Sequence, residues 1–310
     1  MRILITGGAG FLGVALANAL VTQHEVLALD DLTAGDPERL DARVLFHRGD
    51  VRDRPKLWTL LHGVDCVYHL AARVLVAESL LYPREYNEIN VGGTVSLLEA
   101  CRDVGVSRVV LSSSGAVYGA PSLLPVPETT ALQPQSPYAV SKLAAEYYLH
   151  TIGALWGFTT VALRIFNAYG PGQMLPPSHA PVAPRFLQQA VGGGSLVIFG
   201  AGEQTRDFVY LDDAVRALVA AGSAATVNRR TINVGSGVET SILELARLTL
   251  HITRSKSNIL QSSADSGGAA RMQADIALAH ELLGYTPQVA LEEGLRRTLQ
   301  LDPRFRQDVQ

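Results

Sequence analysis

Tyr138-Ala-Val-Ser-Lys142 sets a phenol and an ammonium four residues apart, one helical turn along one face. A free phenol titrates at about pH 10, too high for a base at neutral pH. A neighbouring ammonium favours the phenolate, and so would a cationic nicotinamide ring. Such a pair can take the proton of an alcohol or sugar hydroxyl while hydride leaves the same carbon. The spacing alone equally describes a surface tyrosine beside a solvated lysine. Two neighbours favour the chemical reading. Pro137 gives the helix a defined start. Ser112-Ser113-Ser114 ends the preceding strand, at the edge where a cofactor would lie, and a serine hydroxyl there can bond the reacting oxygen.

Thr6-Gly-Gly-Ala-Gly-Phe-Leu-Gly13 is the second feature with chemical content. Gly8, Gly10 and Gly13 fit one dinucleotide spacing, and Gly7, Gly10 and Gly13 another. Glycines allow a tight turn and close backbone approach to a pyrophosphate. Its charge would then rest on the helix start at Phe11, Leu12 and Gly13. An ordinary turn could carry the same glycines, but here a strand precedes them, a helix follows, and Asp30 ends the next strand. An acid at that point binds the adenosine ribose and repels a 2′-phosphate, so NAD is favoured over NADP. Asp31 is the alternative acid; the strand end favours Asp30.

These groups need a scaffold. Strands are expected at 2–5, 25–29, 44–47, 66–70, 108–112 and 159–164, with helices at 10–21, 90–104 and 138–156 between them. Alternation of this kind implies βαβ units: an α/β, Rossmann-type, doubly wound parallel sheet with its ligand at the strand C-termini. The Pro-rich stretch 170–184 reads as loop. Beyond it helices are expected at 183–192, 212–221, 242–250 and 275–283, and strands at 196–199, 208–211 and 231–234. The last of these should return to the main sheet. The segment 255–270, rich in Ser, Gly and Ala, reads as loop with one strand. The expected domains are a dinucleotide-binding unit over 1–170, rejoined around 205–236, and a smaller mixed α/β substrate lobe over 171–310.

Hydrophobic residues make up 47% of the 310, enough for a large core and against global disorder. A net charge of −3 argues against nucleic acid or a membrane surface as the main partner. Two cysteines, Cys66 and Cys101, form no disulfide framework or zinc motif, so no metal is expected and a cytoplasmic setting is the default. The apolar run at the start stops at Thr6, too short for a secretory signal, and no membrane span is expected.

In order, TGGAGFLG (6–13), Asp30, GDVRD (49–53), HLAA (69–72), Asn90-Val-Gly-Gly-Thr94, SSSGAVYG (112–119), YAVSK (138–142), LRIFNAYGP (163–171), TRDFVYLDDA (205–214) and ADIALAHELLGY (274–285) resemble the extended short-chain dehydrogenase/reductase family. They look most like its NAD-dependent nucleotide-sugar epimerases and dehydratases, over nearly the whole chain. The resemblance implies a tightly bound NAD. It implies that Asp50 and Val51 contact adenine, that Leu70, Ala71 and Ala72 line the pyrophosphate, and that Asn90 and Ser112 support the cofactor side. Ser114 matches the catalytic Ser/Thr and Tyr138 the base; Lys142 matches the lysine that also holds the nicotinamide ribose. Asn167 resembles a substrate contact, Arg206 an arginine on the nucleotide diphosphate, and Arg271 a second one. The base pocket resembles segments 182–186 and 196–199, bringing in Val182 and Phe199. Val76-Ala-Glu-Ser79 resembles a segment of UDP-galactose 4-epimerases, which implies Ser79 as a further substrate contact. Val74 departs from the family, several epimerases having a lysine there.

Subclass follows from absences. Sugar 4,6-dehydratases carry an Asp-Glu pair after the catalytic threonine, and the matching positions here are Gly115 and Ala116. UDP-glucuronate decarboxylases use a carboxylate at the second of these. The resemblance therefore implies 4-epimerisation of a UDP-hexose, or of the N-acetylhexosamine pair, through a 4-keto sugar. Met272 does not decide between them. A 4-keto sugar reductase, a UDP-glucuronate 4-epimerase and a non-catalytic NAD sensor are the alternatives. A homodimer is implied as well, built from the helices after Asn90 and around Tyr138.

Overall fold

Ile3, Leu4 and Ile5 are wholly shielded from solvent, which requires cover on both faces of their strand. The computed structural model describes residues 1–263 and 268–305. Its chain runs β1 (Arg2–Thr6), α1 (Phe11–Leu20), β2 (Glu25–Asp30), β3 (Leu45–Arg48), α2 (Arg54–Leu61) and β4 (Cys66–His69). Next come α3 (Val76–Leu81), α4 (Pro83–Tyr86), a π-helical stretch (Asn87–Gly92), α5 (Gly93–Val104), β5 (Arg108–Ser114), α6 (Pro137–Trp156) and β6 (Thr159–Ile165). The rest is β7 (Asn167–Tyr169), α7 (Val182–Val191), β8 (Leu196–Phe199), β9 (Thr205–Tyr210), α8 (Leu211–Ser223), β10 (Arg230–Val234), β11 (Glu239–Ser241), α9 (Ile242–Thr253), β12 (Ile259–Ser262), α10 (Ala277–Leu283) and α11 (Leu291–Leu301).

Among the described residues, seven strands form one sheet in the order β10-β6-β5-β4-β1-β2-β3. Every neighbouring pair is parallel. This is the doubly wound Rossmann-type sheet expected from the alternation of elements. Strand order reverses between β1 and β4, the place where such sheets open a crevice at their C-terminal ends. Ile3 and Ile5 face a core with Leu16 and Ala17 of α1 and Ala214 and Leu218 of α8. Leu4 faces the opposite core, with Leu57 of α2, Leu97 and Leu98 of α5, and Ala145 and Leu149 of α6. A third core is centred on Phe186, Leu196, Phe208, Leu245 and Leu295, and two further sheets, β11-β9-β7 and β12-β8, are separate from the large one.

Some expectations need correction. The strand expected at 208–211 spans Thr205–Tyr210, and Leu211 already opens α8. It pairs with β7 and β11 rather than joining the main sheet; among the later strands, β10 is the one that joins it, beside β6. The helix expected from Asn90 is preceded by helical turns from Pro83, with the wide π turn around Asn90 itself. The stretch expected as loop at 170–184 gives way to α7 at Val182. Within 255–270 the one expected strand is β12; residues 264–267 lie outside the described residues. The elements α2, α3, β7, β11 and α11 carried no expectation.

Two helix starts bear directly on the site. Ser136 caps α6 by accepting from the Ala139 N–H at 3.2 Å, and Pro137 follows at the first turn. Gly157, at φ +82°, ends the helix. By contrast α1 begins at Gly10 with no side-chain cap and no acid in its first turn. Its first N–H groups are left for an external anion.

Candidate functional site

The glycine turn lies directly against the segment that follows β4. A Cβ on Gly7 would come within 2.6 Å of the Ala71 nitrogen, and Gly7 sits at φ +69°. A Cβ on Gly13 would come within 2.1 Å of the Gly7 carbonyl oxygen, and one on Gly8 within 2.6 Å of the Ala28 Cβ. Leu70, Ala71 and the glycine turn therefore form adjoining walls of the β1/β4 crevice. Phe11 and Leu12, at the open end of α1, are half-buried beside them. This tight, uncapped turn fits a dinucleotide pyrophosphate.

Asp30 ends β2 and is buried. Its carboxylate accepts from the Ala9 N–H at 3.1 Å and the Leu32 N–H at 2.9 Å. Burial raises its pKa, against the pull of these two N–H groups. Asp31 is exposed and accepts from Thr33. The geometry thus selects Asp30 as the acid that faces the glycine turn. Asp50 holds Arg52 in a two-pronged pair, which lowers the pKa of its carboxyl. Val51 is buried against α5, where a Cβ on Gly93 would lie 2.5 Å from its Cγ1.

Asn90 is buried in the π turn. Its Oδ1 accepts from the Arg73 N–H at 2.8 Å; its Nδ2 donates to the Arg73 carbonyl at 3.0 Å and to Ser141 Oγ at 2.9 Å. It ties the segment after β4 to α6, the helix that carries Tyr138. Beneath it, His69 bridges Thr6 Oγ1 at 2.7 Å and Thr94 Oγ1 at 2.9 Å. Burial, with the nearby Lys142 cation, drives the His69 pKa down to about 3, so the ring is neutral. This link between β1, β4 and α5 carried no sequence expectation beyond HLAA.

Ser112 and Ser114 close β5 opposite the start of α6. Burial raises the Tyr138 phenol above its ordinary pKa, and hydrogen bonding by Ser114 opposes the rise. Lys142, one turn along the same helix, is buried with it. Its Nζ is turned to the Ser112 carbonyl, 2.8 Å away. Burial lowers Lys142 itself to about 8, with the Glu146 carboxylate opposing the fall. Glu146 was missed in the sequence, although extending the Tyr138–Lys142 period by one more turn lands on it.

The substrate-side residues divide. Asn167 is exposed at the start of β7, Val182 opens α7, and Phe199 ends β8 with the Arg185 guanidinium 5.3 Å from its ring centre. Arg206 donates to the carbonyls of Thr205 at 2.7 Å and Ala269 at 2.8 Å. Burial lowers its pKa, and among the described residues no carboxylate pairs with it. That leaves its charge available to an anion. Arg271 is already committed: it clamps Glu239 at 2.7 and 2.5 Å. Ser79 is fully buried and donates to the Val76 carbonyl of its own helix at 2.6 Å. Val74 is exposed, and the neighbouring Arg73 pairs with Glu78 and Glu85. Among the described residues no cluster of His, Cys, Asp and Glu could hold a metal ion.

The same chain pattern occurs in known proteins. A family model described as "NAD dependent epimerase/dehydratase family" matches residues 3–235. The UDP-glucose 4-epimerase of Mycolicibacterium smegmatis is 38% identical over 308 residues, covering 97% of this chain and 98% of that one. The crystal structure of UDP-glucose 4-epimerase from Thermotoga maritima, with UDP-glucose, matches with a TM-score of 0.93 at 34% identity, over 97% of this chain and 98% of that one. UDP-N-acetylglucosamine 4-epimerase from Methanobrevibacter ruminantium, in complex with UDP-N-acetylmuramic acid, gives 0.92 at 32% identity, over 96% and 97%.

Proposed function

The chain belongs to the NAD dependent epimerase/dehydratase family, and from that premise we propose that it interconverts UDP-glucose and UDP-galactose. It is an isomerase, an NAD-dependent nucleotide-sugar 4-epimerase. One observation carries this reading: Ser114, Tyr138 and Lys142 meet at the sheet edge with no acid beside them where a dehydratase needs one. A Cβ on Gly115 would already lie 3.1 Å from three ring carbons of Phe166. A side chain there would have to displace the Phe166 ring by a few tenths of an ångström, and neither Gly115 nor Ala116 has acid–base chemistry.

Bound NAD would supply the hydride acceptor and, later, the donor. The glycine turn and the start of α1 would hold its pyrophosphate, Asp30 the adenosine ribose and Lys142 the nicotinamide ribose. Leu70, Ala71 and Ala72 would line its path. Tyr138 takes the proton of the C4 hydroxyl, and Ser114 holds that oxygen. A cationic ring beside the phenol would favour the phenolate. Arg206 and Asn167 keep the nucleotide diphosphate in place while the 4-keto sugar turns. Tyr138 then returns the proton as C4 is reduced on its other face.

The N-acetylhexosamine pair is the second reading, favoured by the Methanobrevibacter structure. Met272 does not oppose it, being buried in a cluster with Val117, Tyr118 and Phe166. The test is incubation of the purified protein, without added cofactor, with UDP-galactose, UDP-N-acetylgalactosamine and UDP-galacturonate. The expected product is UDP-glucose, made by protein that retains nicotinamide absorbance. Turnover only with added NADPH would point to a 4-keto reductase, and no epimer from any sugar would overturn the reading.

The same proposal includes a homodimer. Val140, Tyr147, Tyr148 and Leu155 lie on α6 at 45–72% exposure, away from the row that faces the sheet. An apolar stripe at helical spacing on an unpacked face suits a partner helix. Light scattering should give twice the 33.2 kDa chain mass. The two cysteines are buried free thiols, which suits a cytoplasmic setting. Among the described residues no helix is long and apolar enough to cross a membrane.

A further inference from the structure

The sheet-facing side of α6 carries a second buried ionic group beyond Lys142. Tyr138, Lys142 and Glu146 stand at i, i+4 and i+8, and each meets one of the three consecutive serines of β5. The Ser114 hydroxyl engages Tyr138, the Ser112 carbonyl accepts from Lys142, and the Ser113 hydroxyl donates to Glu146.

Arg164 is the register partner of Ser113 across β5 and β6, so both side chains leave the sheet on one face. The Arg164 guanidinium grips the Glu146 carboxylate at 3.0 and 2.8 Å. Asn233 is in turn the register partner of Arg164 on β10. The Tyr118 hydroxyl joins the two, accepting from Arg164 at 2.8 Å and donating to Asn233 Oδ1 at 2.7 Å. Asn233 Nδ2 then donates to the Val126 carbonyl at 2.8 Å, in a segment that bridges to Ala274. One polar row thus crosses three strands, from the helix that carries Tyr138 and Lys142 to the Val126 segment.

Glu146 and Arg164 are 2% and 4% exposed. A buried ion pair is a poor source of stability, since apolar residues of similar volume often do as well or better. Its place one turn behind the catalytic lysine offers another reason for it. We propose that Glu146 is a positioning residue: clamped by Arg164 and Ser113, its carboxylate fixes α6 on the end of β5 and keeps the Lys142 ammonium charged where the cofactor ribose would lie. This rests on the role given to Lys142 above.

The groups around Lys142 support the assignment. On its own helix are Tyr138 and Glu146. From β4 comes His69, neutral because its pKa is about 3. From β6 comes Arg164, fixed on Glu146, and one turn past Glu146 lies His150, whose pKa burial also lowers. The π turn contributes the neutral Asn90, and the acids Glu78 and Glu85 of α3 and α4 pair with Arg73. Among the described residues Glu146 is the carboxylate that opposes the loss of the lysine's proton.

The test is Glu146→Gln, which keeps the size of the side chain and removes its charge. The first readout is NAD retained after gel filtration, measured by nicotinamide absorbance across alkaline pH; the second is the pH profile of kcat. The alkaline limb of both should move down by about half a pH unit or more, with KM for the UDP-sugar unchanged. A limb that stays in place while only the thermal midpoint falls would make the pair structural and overturn the proposal. Should the single variant not fold, Glu146→Gln with Arg164→Met removes both buried charges and should still move the limb down, by less, because the lost cation lies beyond the carboxylate and offsets it in part. A wild-type protein that held no nicotinamide at any pH would overturn the functional reading and this proposal together. An unmoved limb in an NAD-holding variant overturns this proposal alone.

Discussion

Lys142 donates from Nζ to the carbonyl of Ser112 at 2.8 Å, across the contact between α6 and β5. The lysine is thereby anchored on backbone, one helical turn along from the phenol. Division of labour follows: Ser114 attends to Tyr138, and Lys142 presents a fixed cation beside it.

Replacing Tyr138 by Phe should therefore remove proton transfer while leaving that cation and its anchor in place. The expected result is a fall in kcat of about 10³-fold or more, with NAD still bound after gel filtration. Ser114→Ala should cost about 10²-fold. Near-normal turnover by the Tyr138 variant would sink the assignment.

Arg206 and Arg271 should separate in steady-state kinetics. Among the described residues Arg206 meets carbonyls and no carboxylate, whereas Arg271 is held by Glu239. Losing a charged hydrogen bond to a diphosphate costs about 1.5–3 kcal/mol. Arg206→Ala should therefore raise KM for the UDP-sugar by about 10- to 100-fold. Arg271→Ala should raise it by less. The reverse order would show that Arg271 leaves Glu239 when substrate binds.

The glycine turn yields a paired test. Gly7→Ala puts a Cβ 2.6 Å from the Ala71 nitrogen, at φ +69°, and should cost about 1–3 kcal/mol of stability as well as NAD binding. Gly10→Ala meets only the Gly7 carbonyl, at 3.2 Å. It should fold with a near-normal denaturant midpoint yet release NAD. Equal stability losses in the two variants would count against the division of roles.

His69 makes stability depend on pH. Its folded pKa of about 3 lies below the unfolded value of 6.5, so between these pH values the unfolded chain binds the extra proton. Its contribution is complete above pH 6.5 and is lost as pH falls, by up to about 1.4 kcal/mol per pH unit. Urea midpoints measured at pH 7 and pH 5 should drop less in His69→Gln than in the wild type. Parallel drops would exclude His69 as the source.

Much of the site was legible because its signals are local. The glycine turn is read from residues 6–13, the start of α6 from Pro137, and the Tyr138–Lys142 pairing from the pitch of one helix. The small lobe was harder. Thr205 to Tyr210 takes its partners from β7 and β11, far along the chain, and a short strand stabilised by distant neighbours leaves little trace in its own residues. The helix α11 was the exception, missed although Leu291, Leu295 and Leu299 keep helical spacing and Glu292–Arg296 and Glu293–Arg297 pair along it.

What the amino-acid order settled by itself was which groups could act: a phenol, an ammonium, a serine, a phosphate turn and an acid at a strand end. Their chemistry and backbone limits are properties of single residues and single turns. Which charges are free, which are spent and which support others was decided by strand register and burial. Arg164 meets Glu146 because β6 lies beside β5 in one register. Arg271 is spent on Glu239, Arg206 meets no carboxylate among the described residues, and Tyr138 is desolvated. Each outcome depends on distance and on the exclusion of water, which exist only once the chain has packed.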